Sequence, residues 1–212
     1  MYKLIAFDFD GTLFESLTQC LDAFRKTVSP YAGHLLTDAE IEATFGLSED
    51  GMIMRLVGDN WEQAAADFYA EYAVMHESIT EVFDGARELL DELKEKGVRL
   101  ALVTGKGETA CRISLEKLRL EGVFEAVRCG EADGPSKHRH FGDLLKQYGL
   151  EKDEMVYIGD STKDVEACRM AGIGCLSAAW QSDARKDALE AVNSGLVFES
   201  VAALREYLIK HI

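Results

Sequence analysis

Long apolar runs are missing from this sequence of 212 residues. A membrane-spanning helix needs roughly 20 consecutive apolar residues. No stretch approaches that length, so no membrane partner is expected. Near the start, Lys3 is followed by four apolar residues before Asp8, too few for the core of a secretory signal. A cytoplasmic location is the expectation. Positive charge is also scarce: 23 Lys and Arg against 38 Asp and Glu give a net charge of −15 and a pI near 4.7. Such a field repels nucleic acid and anionic lipid, so neither is an expected partner. It repels a phosphate ester equally, so any phosphate site here needs local cations or a metal. Paired cysteines are missing too. Cys20, Cys111, Cys129, Cys168 and Cys175 are scattered, odd in number and without a Cys-x-x-Cys spacing. That excludes a disulfide framework or a thiolate zinc site and fits reduced thiols packed among apolar neighbours. Repeats and low-complexity segments are absent.

What is present suits an ordinary globular chain. An apolar fraction of 47% and a charged fraction of 29% suffice for a real core. The length fits one domain, or one domain carrying an insert. The stretch around which the rest is organised is Leu4-Ile5-Ala6-Phe7-Asp8-Phe9-Asp10-Gly11-Thr12-Leu13. A short buried strand ends in two carboxylates at i and i+2, and Gly11 bends the chain so that both can converge at the strand tip. Neighbouring carboxylates resist ionising together unless a cation sits between them. A hard cation with oxygen ligands, Mg²⁺ above all, is the simplest resolution. A plain Asp-Gly turn is the bland alternative. A calcium loop would need a third oxygen residue before the glycine and a helix upstream, where Phe9 and a strand stand.

Downstream the periodicity changes. Leu17, Leu21, Phe24 and Val28 recur at helical spacing until Ser29-Pro30 stops the run. Thr37 to Glu40 reads as a capping box. Met52, Ile53, Leu56 and Val57 form another helical face, ended by Gly58, and Trp61 to Tyr72 a longer one. Residues 15–80 thus read as four helices with no strand. From Phe83 helices and strands alternate. Strands are expected near residues 98–103, 124–128, 155–158 and 174–176, and helices near 86–93, 108–120, 138–148, 163–171, 183–192 and 200–210. That alternation implies an α/β fold with a doubly wound parallel sheet. The helical stretch lies between the first strand and the rest of the sheet. It reads as an inserted all-helical unit, residues 15–82, on a core of 1–14 and 83–212, with linkers at 14–16 and 79–84.

Ligands bind at the carboxyl ends of strands in such sheets. The first tip offers Asp8 and Asp10, the second Thr104-Gly105-Lys106-Gly107. The segment after the third offers Ser136-Lys137, and the fourth Gly159-Asp160-Ser161-Thr162-Lys163-Asp164. Singly, Thr104 and Asp160 read as helix caps and Lys137 as a solvated side chain. Together and in this order they read as a site.

The set Asp-x-Asp-Gly-Thr, strand-end Thr, isolated Lys and Gly-Asp-x-x-x-Asp resembles the four motifs of the haloacid dehalogenase superfamily, across essentially the whole chain. The insert resembles the C1-type cap of its phosphoglycolate phosphatase and β-phosphoglucomutase branch. So do Phe83 to Leu90, Leu100 to Thr104 and Ala167 to Gly172. The resemblance implies a Rossmann-like core and a Mg²⁺-dependent phosphatase acting on a small phosphorylated metabolite, as a monomer or homodimer. By motif position, it implies that Asp8 attacks phosphorus and that Asp10 protonates the leaving oxygen. Thr104 and Lys137 then contact the phosphoryl group. Mg²⁺ is held by Asp8, the Asp10 main-chain carbonyl and Asp160, with Asp164 in or just outside the shell. Backbone N–H groups at Phe9 and Gly105 are expected to bind phosphoryl oxygens. Ser48 and Glu49, in the cap loop 46–50, are expected to meet the leaving group. The sequence departs from the family at His138, where proline is usual, at Gly105, where asparagine is common, and at Glu15, where aspartate is common.

Two rivals carry specific residues. Gly105-Lys106-Gly107-Glu108-Thr109-Ala110 matches a dinucleotide fingerprint and raises a nicotinamide oxidoreductase. It sits on the second βα unit, however, and the next strand ends in Arg128-Cys129 rather than an acid. A sugar-phosphate mutase is closer. In that subfamily an arginine follows Gly-x-Ser in the cap, whereas here Gly46-Leu47-Ser48 leads into Glu49 and Asp50. Two acids receive a second phosphate poorly, so hydrolysis of a monophosphate is expected. His138-Arg139-His140 invites a metal reading, but a helix start is the simpler one.

Overall fold

A computed structural model of the chain describes residues 1–78, 81–182 and 184–212. Its centre is a six-stranded sheet in the order β3-β2-β1-β4-β5-β6, comprising β1 (Leu4–Phe7), β2 (Arg99–Val103), β3 (Ala126–Arg128), β4 (Met155–Gly159), β5 (Gly174–Ala178) and β6 (Val197–Phe198). All pairings are parallel, with Ile5 opposite Leu100 on one side and Val156 on the other. Parallel strands need crossovers, and helices supply them on both faces.

The two faces are written in the alternation of the strands. Ile5, Phe7, Leu100, Leu102, Val156 and Ile158 face one way. They pack on Leu89, Leu90 and Leu93 of α6 (Ala86–Glu95) and on Leu204 and Leu208 of α11 (Val201–Leu208). Leu4, Ala6, Ala101, Val103, Met155 and Tyr157 face the other way. They pack on Phe141, Leu144 and Leu145 of α8 (Lys137–Tyr148) and on Val165 and Cys168 of α9 (Thr162–Ala171). Each fully buried Leu or Phe contributes on the order of 2 kcal/mol by leaving water. α7 (Glu108–Lys117) and α10 (Lys186–Asn193) complete the layers.

Between β1 and α6 lies a helical cap of α1 (Leu17–Thr27), α2 (Ser29–Ala32), α3 (Asp38–Glu42), α4 (Glu49–Val57) and α5 (Trp61–Met75). Its own apolar cluster centres on Phe24 and Phe68, whose rings lie 4.6 Å apart. Ala110 of α7 joins that cluster, so the cap leans on the core through the helix that follows β2.

Most expected elements form, and the differences are local. Pro30 ends α1 but also opens the one-turn α2, because proline is well placed at a helix start. Among the described residues the insert therefore has five α-helices rather than four. The third strand starts at Ala126 and α7 ends at Lys117. β6, not anticipated, is a two-residue edge strand with too little sequence to show a period. α8 begins at Lys137 itself. The expected linker at 79–84 falls partly outside the described residues, as does the expected helix start at 183. The five cysteines are free, as their scatter implied. No described helix is long and apolar enough to cross a membrane.

Candidate active site

The strand register brings the site together. Phe7 pairs with Leu102 and with Ile158, so Asp8, Thr104 and Asp160 all emerge at the carboxyl edge of three adjacent strands, each pair of strands about 5 Å apart. Gly11 makes the turn beneath them with φ of 67°. A Cβ there would lie 2.7 Å from Asp160 Cγ and 2.7 Å from Gln181 Oε1. Only glycine fits both that backbone and that gap.

Asp8, Asp160 and Asp164 each present a carboxylate oxygen within 4.8 Å of the others. Lys137 Nζ donates to Asp8 Oδ2 and lies 2.6 Å from Asp164 Oδ1. Asp164 is fixed by helix capping: Ser161 N–H and Oγ–H donate to its Oδ2 at 3.1 and 2.6 Å, a capping box at the start of α9. One carboxylate thus caps a helix with one oxygen and holds Lys137 with the other. Gln181 Nε2 donates to Asp160 Oδ2 at 2.7 Å.

These acids outnumber their cation. Burial pushes the Asp8 carboxyl up to about 6 against the pull of Lys137, and the charges of Asp164 and Asp10 add to the rise. Burial likewise raises Asp160 well above the ordinary carboxylate range, with Asp164 and Asp8 contributing. Burial works against the Lys137 ammonium, yet Asp164 and Asp8 more than compensate and raise its pKa. Three carboxylates around one ammonium leave a surplus of two negative charges, which one divalent cation would cancel. The donors are all hard oxygens, the set that suits Mg²⁺ or a similar ion. The residues therefore fit a divalent metal.

Asp10 takes a different place. Its Oδ1 accepts from the Ser16 hydroxyl and lies 3.0 Å from Lys106 Nζ. Its carboxylate does not belong to the three-acid group. Lys106, whose side chain is 3% exposed, also lies 3.8 Å from Glu49 Oε1 and 4.9 Å from the centre of the Tyr72 ring. Glu49 Oε2 accepts from Gly107 N–H at 2.6 Å. A cap residue is thereby tied to the loop after β2. The loop reading as a dinucleotide fingerprint is occupied by this contact.

The remaining expected residues are placed as follows. Thr104 is fully buried, and its Oγ1 accepts from Lys106 N–H at 3.2 Å. Phe9 N–H donates to Asp8 Oδ1 at 2.8 Å, so it orients that carboxylate. Ser48 is the N-cap of α4, with its hydroxyl accepting from Gly51 N–H and its own N–H donating to Glu131 O at 2.9 Å. Its hydroxyl serves the helix rather than facing an open pocket. Gly51 seats the cap loop on the core: a Cβ would lie 2.7 Å from Ala132 Cα. Gly105 follows Thr104 in the loop after β2, next to Lys106, whose carbonyl accepts from Gly130 N–H at 2.6 Å. His140 Nε2 donates to Cys129 O at 3.0 Å and Arg139 pairs with Glu131 at 2.6 Å, so that motif is structural. Sequence reasoning missed Lys106, Ser16 and Gln181. For Lys106 a signal existed, a lysine between two glycines two residues beyond a strand-end threonine, but it read first as part of the fingerprint.

A family profile described as haloacid dehalogenase-like hydrolase matches residues 5–178. Phosphoglycolate phosphatase of Pseudomonas syringae pv. syringae is 28% identical over 188 residues, covering 82% of this chain and 68% of that protein. The putative pyrophosphatase PpaX of Caldanaerobacter subterraneus subsp. tengcongensis is 28% identical over 183 residues, covering 83% and 81%. Among solved structures, a predicted phosphoglycolate phosphatase from Haemophilus somnus shares the fold with a TM-score of 0.81 at 19% identity, over 98% of both chains. With motif order, sheet topology and the profile in agreement, the chain belongs to the haloacid dehalogenase-like hydrolase family.

Proposed function

We propose that this hydrolase is a Mg²⁺-dependent phosphatase that cleaves a small phosphomonoester through an aspartyl-phosphate on Asp8. One observation carries the reading: the Asp8 carboxylate stands on Lys137, among Asp160 and Asp164, at the tip of the central strand. Asp8, Asp160 and Asp164, with the Asp10 carbonyl, would hold Mg²⁺, and the ion would supply positive charge to the phosphoryl oxygens. The curated relatives carry phosphatase and pyrophosphatase names, which supports phosphorus chemistry here.

The residues divide the work. The Phe9 N–H holds one Asp8 oxygen and so points the other at phosphorus. Asp8 Oδ2 forms the new bond to phosphorus while the bond to the leaving oxygen breaks, splitting hydrolysis into two easier steps. Asp10 gives a proton to that oxygen and recovers one from the water that later attacks phosphorus. Ser16 and Lys106 hold Asp10 Oδ1, leaving Oδ2 for the proton. Thr104 and Lys137 steady the charge on the equatorial oxygens. The cap of residues 15–82, moving about a hinge at 14–16, closes to exclude water before attack. Glu49 and Asp50, where a mutase would seat a second phosphate, favour hydrolysis.

The test is a phosphate-release screen over small phosphomonoesters with and without Mg²⁺. Release that requires the metal supports the reading. Interconversion of sugar phosphates with no phosphate released overturns it.

A further inference from the structure

Where the cap meets the core, the charges are arranged in a way that bears on substrate choice. Lys106 is the buried cation beside Asp10, which is where a leaving group must lie if Asp10 is its acid. Lys106 and the Gly107 N–H are the donors that could receive a second anion on that group. Both are already taken by Glu49, one oxygen at 2.6 Å from Gly107 N and the other at 3.8 Å from Lys106 Nζ. Glu49 is itself buried, with a side chain 6% exposed, so water screens little of its charge. Asp50, next in the chain, faces the same seam and receives the Tyr69 hydroxyl at 2.9 Å. Two other cations near the rim are engaged elsewhere: Lys163 with the Phe45 carbonyl at 2.9 Å and Arg139 with Glu131 at 2.6 Å. Among the described residues Asp10 and Glu49 are thus the carboxylates paired with Lys106, with Asp50 next to Glu49 in the chain.

We propose that Glu49 is a specificity-determining residue that selects phosphomonoesters whose leaving group carries no second anion. It acts as a built-in counter-anion. It neutralises Lys106, closes the Gly107 donor, and sets a like charge against any carboxylate or second phosphate entering the seam. The substrate class is then a monophosphate with a neutral, hydroxyl-bearing leaving group. This departs from what the names of the phosphoglycolate phosphatase and pyrophosphatase relatives imply, since both leaving groups there are anions. The inference rests on the phosphatase reading above.

Matched esters test it: glycerol phosphate against 3-phosphoglycerate, which differ in a carboxylate on the leaving group. For the wild type, kcat/KM for the neutral ester should exceed that for the anionic one by about tenfold or more, the scale of one like-charge contact. Glu49→Gln keeps an oxygen for the Gly107 N–H and removes the charge. It should narrow that ratio about tenfold, chiefly through KM of the anionic ester, and the readout is the ratio of the two esters on the same variant. Equal losses on both esters would mark Glu49 as a cap fastener and overturn the proposal, as would a wild type that favours the anionic ester. Calorimetric binding of the same two esters to Asp8→Asn, with and without Glu49→Gln, reads selection without turnover. If neither ester releases phosphate but the binding difference and its loss in Glu49→Gln persist, the hydrolysis reading falls and charge selection stands.

Discussion

Lys137 and Lys106 are both largely buried ammonium groups shared between carboxylates, yet they are built on different foundations. The partners of Lys137, Asp8 and Asp164, come from the core, one at a strand tip and one from a helix capping box. Those of Lys106, Asp10 and Glu49, come from the core and the cap. The first cluster lies wholly within the core, and the second spans core and cap, so any cap opening would break the second and spare the first. The acids also differ in number: beside Lys137 three carboxylates converge within 4.8 Å of one another, an excess that suits a divalent ion. The arrangement separates chemistry, which needs rigid preorganised charge, from the selection proposed at the seam between core and cap.

The sharpest way to break that division is Asp8→Asn. The amide keeps the shape but cannot attack phosphorus, so phosphate release should fall about 10³-fold or more. Circular dichroism and melting temperature should stay close to wild type, because removing one charge relieves the acid surplus. Retention of a tenth of the activity would place the nucleophile elsewhere.

Lys137→Met should cost about 10²- to 10³-fold in kcat, the usual range for losing one preorganised charge partner. It also leaves Asp8, Asp160 and Asp164 without their ammonium, so the metal-free protein should melt earlier. Mg²⁺ should restore part of that loss, since a ligand at 100 times its Kd stabilises by about 2.7 kcal/mol. Differential scanning calorimetry with Mg²⁺ and with chelator reads this without any substrate. A variant indifferent to Mg²⁺ would mean that the three carboxylates hold no metal.

The reach of Lys106 can be sharpened through His76. This buried imidazole gives its Nδ1 proton to Tyr72 O at 3.0 Å and accepts at Nε2 from Ser114 Oγ, 3.1 Å away. Burial lowers its pKa from 6.5 to about 4, and the charge of Lys106 adds to the fall. The unfolded chain protonates near 6.5 and the folded one only near 4. Between these values the unfolded state binds more protons, so stability from this group is complete above 6.5 and is lost as pH falls toward 4. The loss is up to about 3 kcal/mol. Urea unfolding at pH 7 and 4.5 should show a smaller drop for His76→Gln than for wild type. Identical drops would mean that His76 does not titrate in this window.

Much of this was legible in the sequence because it is local. Asp8 follows an apolar run, Thr104 ends another, and Ser161 and Asp164 stand at capping-box spacing, so each site residue announces its own strand tip. The parallel sheet followed from the alternation, apart from its sixth strand. What could not be read were the pairings across the seam. Lys106 and Glu49 are 57 residues apart by their numbers, and nothing local to either says that one covers the other. The capping role of Ser48 was not legible because it depends on where α4 starts. The bond from Phe9 N–H to Asp8 was not legible either, since it depends on the turn that follows. β6 is set by pairing with β5 rather than by two residues of its own.

The smallest effect expected is at Lys163, and it bears on charge selection. Its exposed ammonium reaches from α9 to the Phe45 carbonyl of the cap loop at 2.9 Å. An exposed hydrogen bond of this kind contributes at most about 1 kcal/mol. Lys163→Ala should therefore change kcat/KM by less than about fivefold, with anionic and neutral esters affected alike. A loss of tenfold or more confined to anionic esters would show that Lys163 leaves Phe45 and enters the seam when such a substrate binds. The leaving-group pocket would then own a cation that Glu49 does not cover, and the contrast between a metal-served core and an acid-guarded cap would no longer hold.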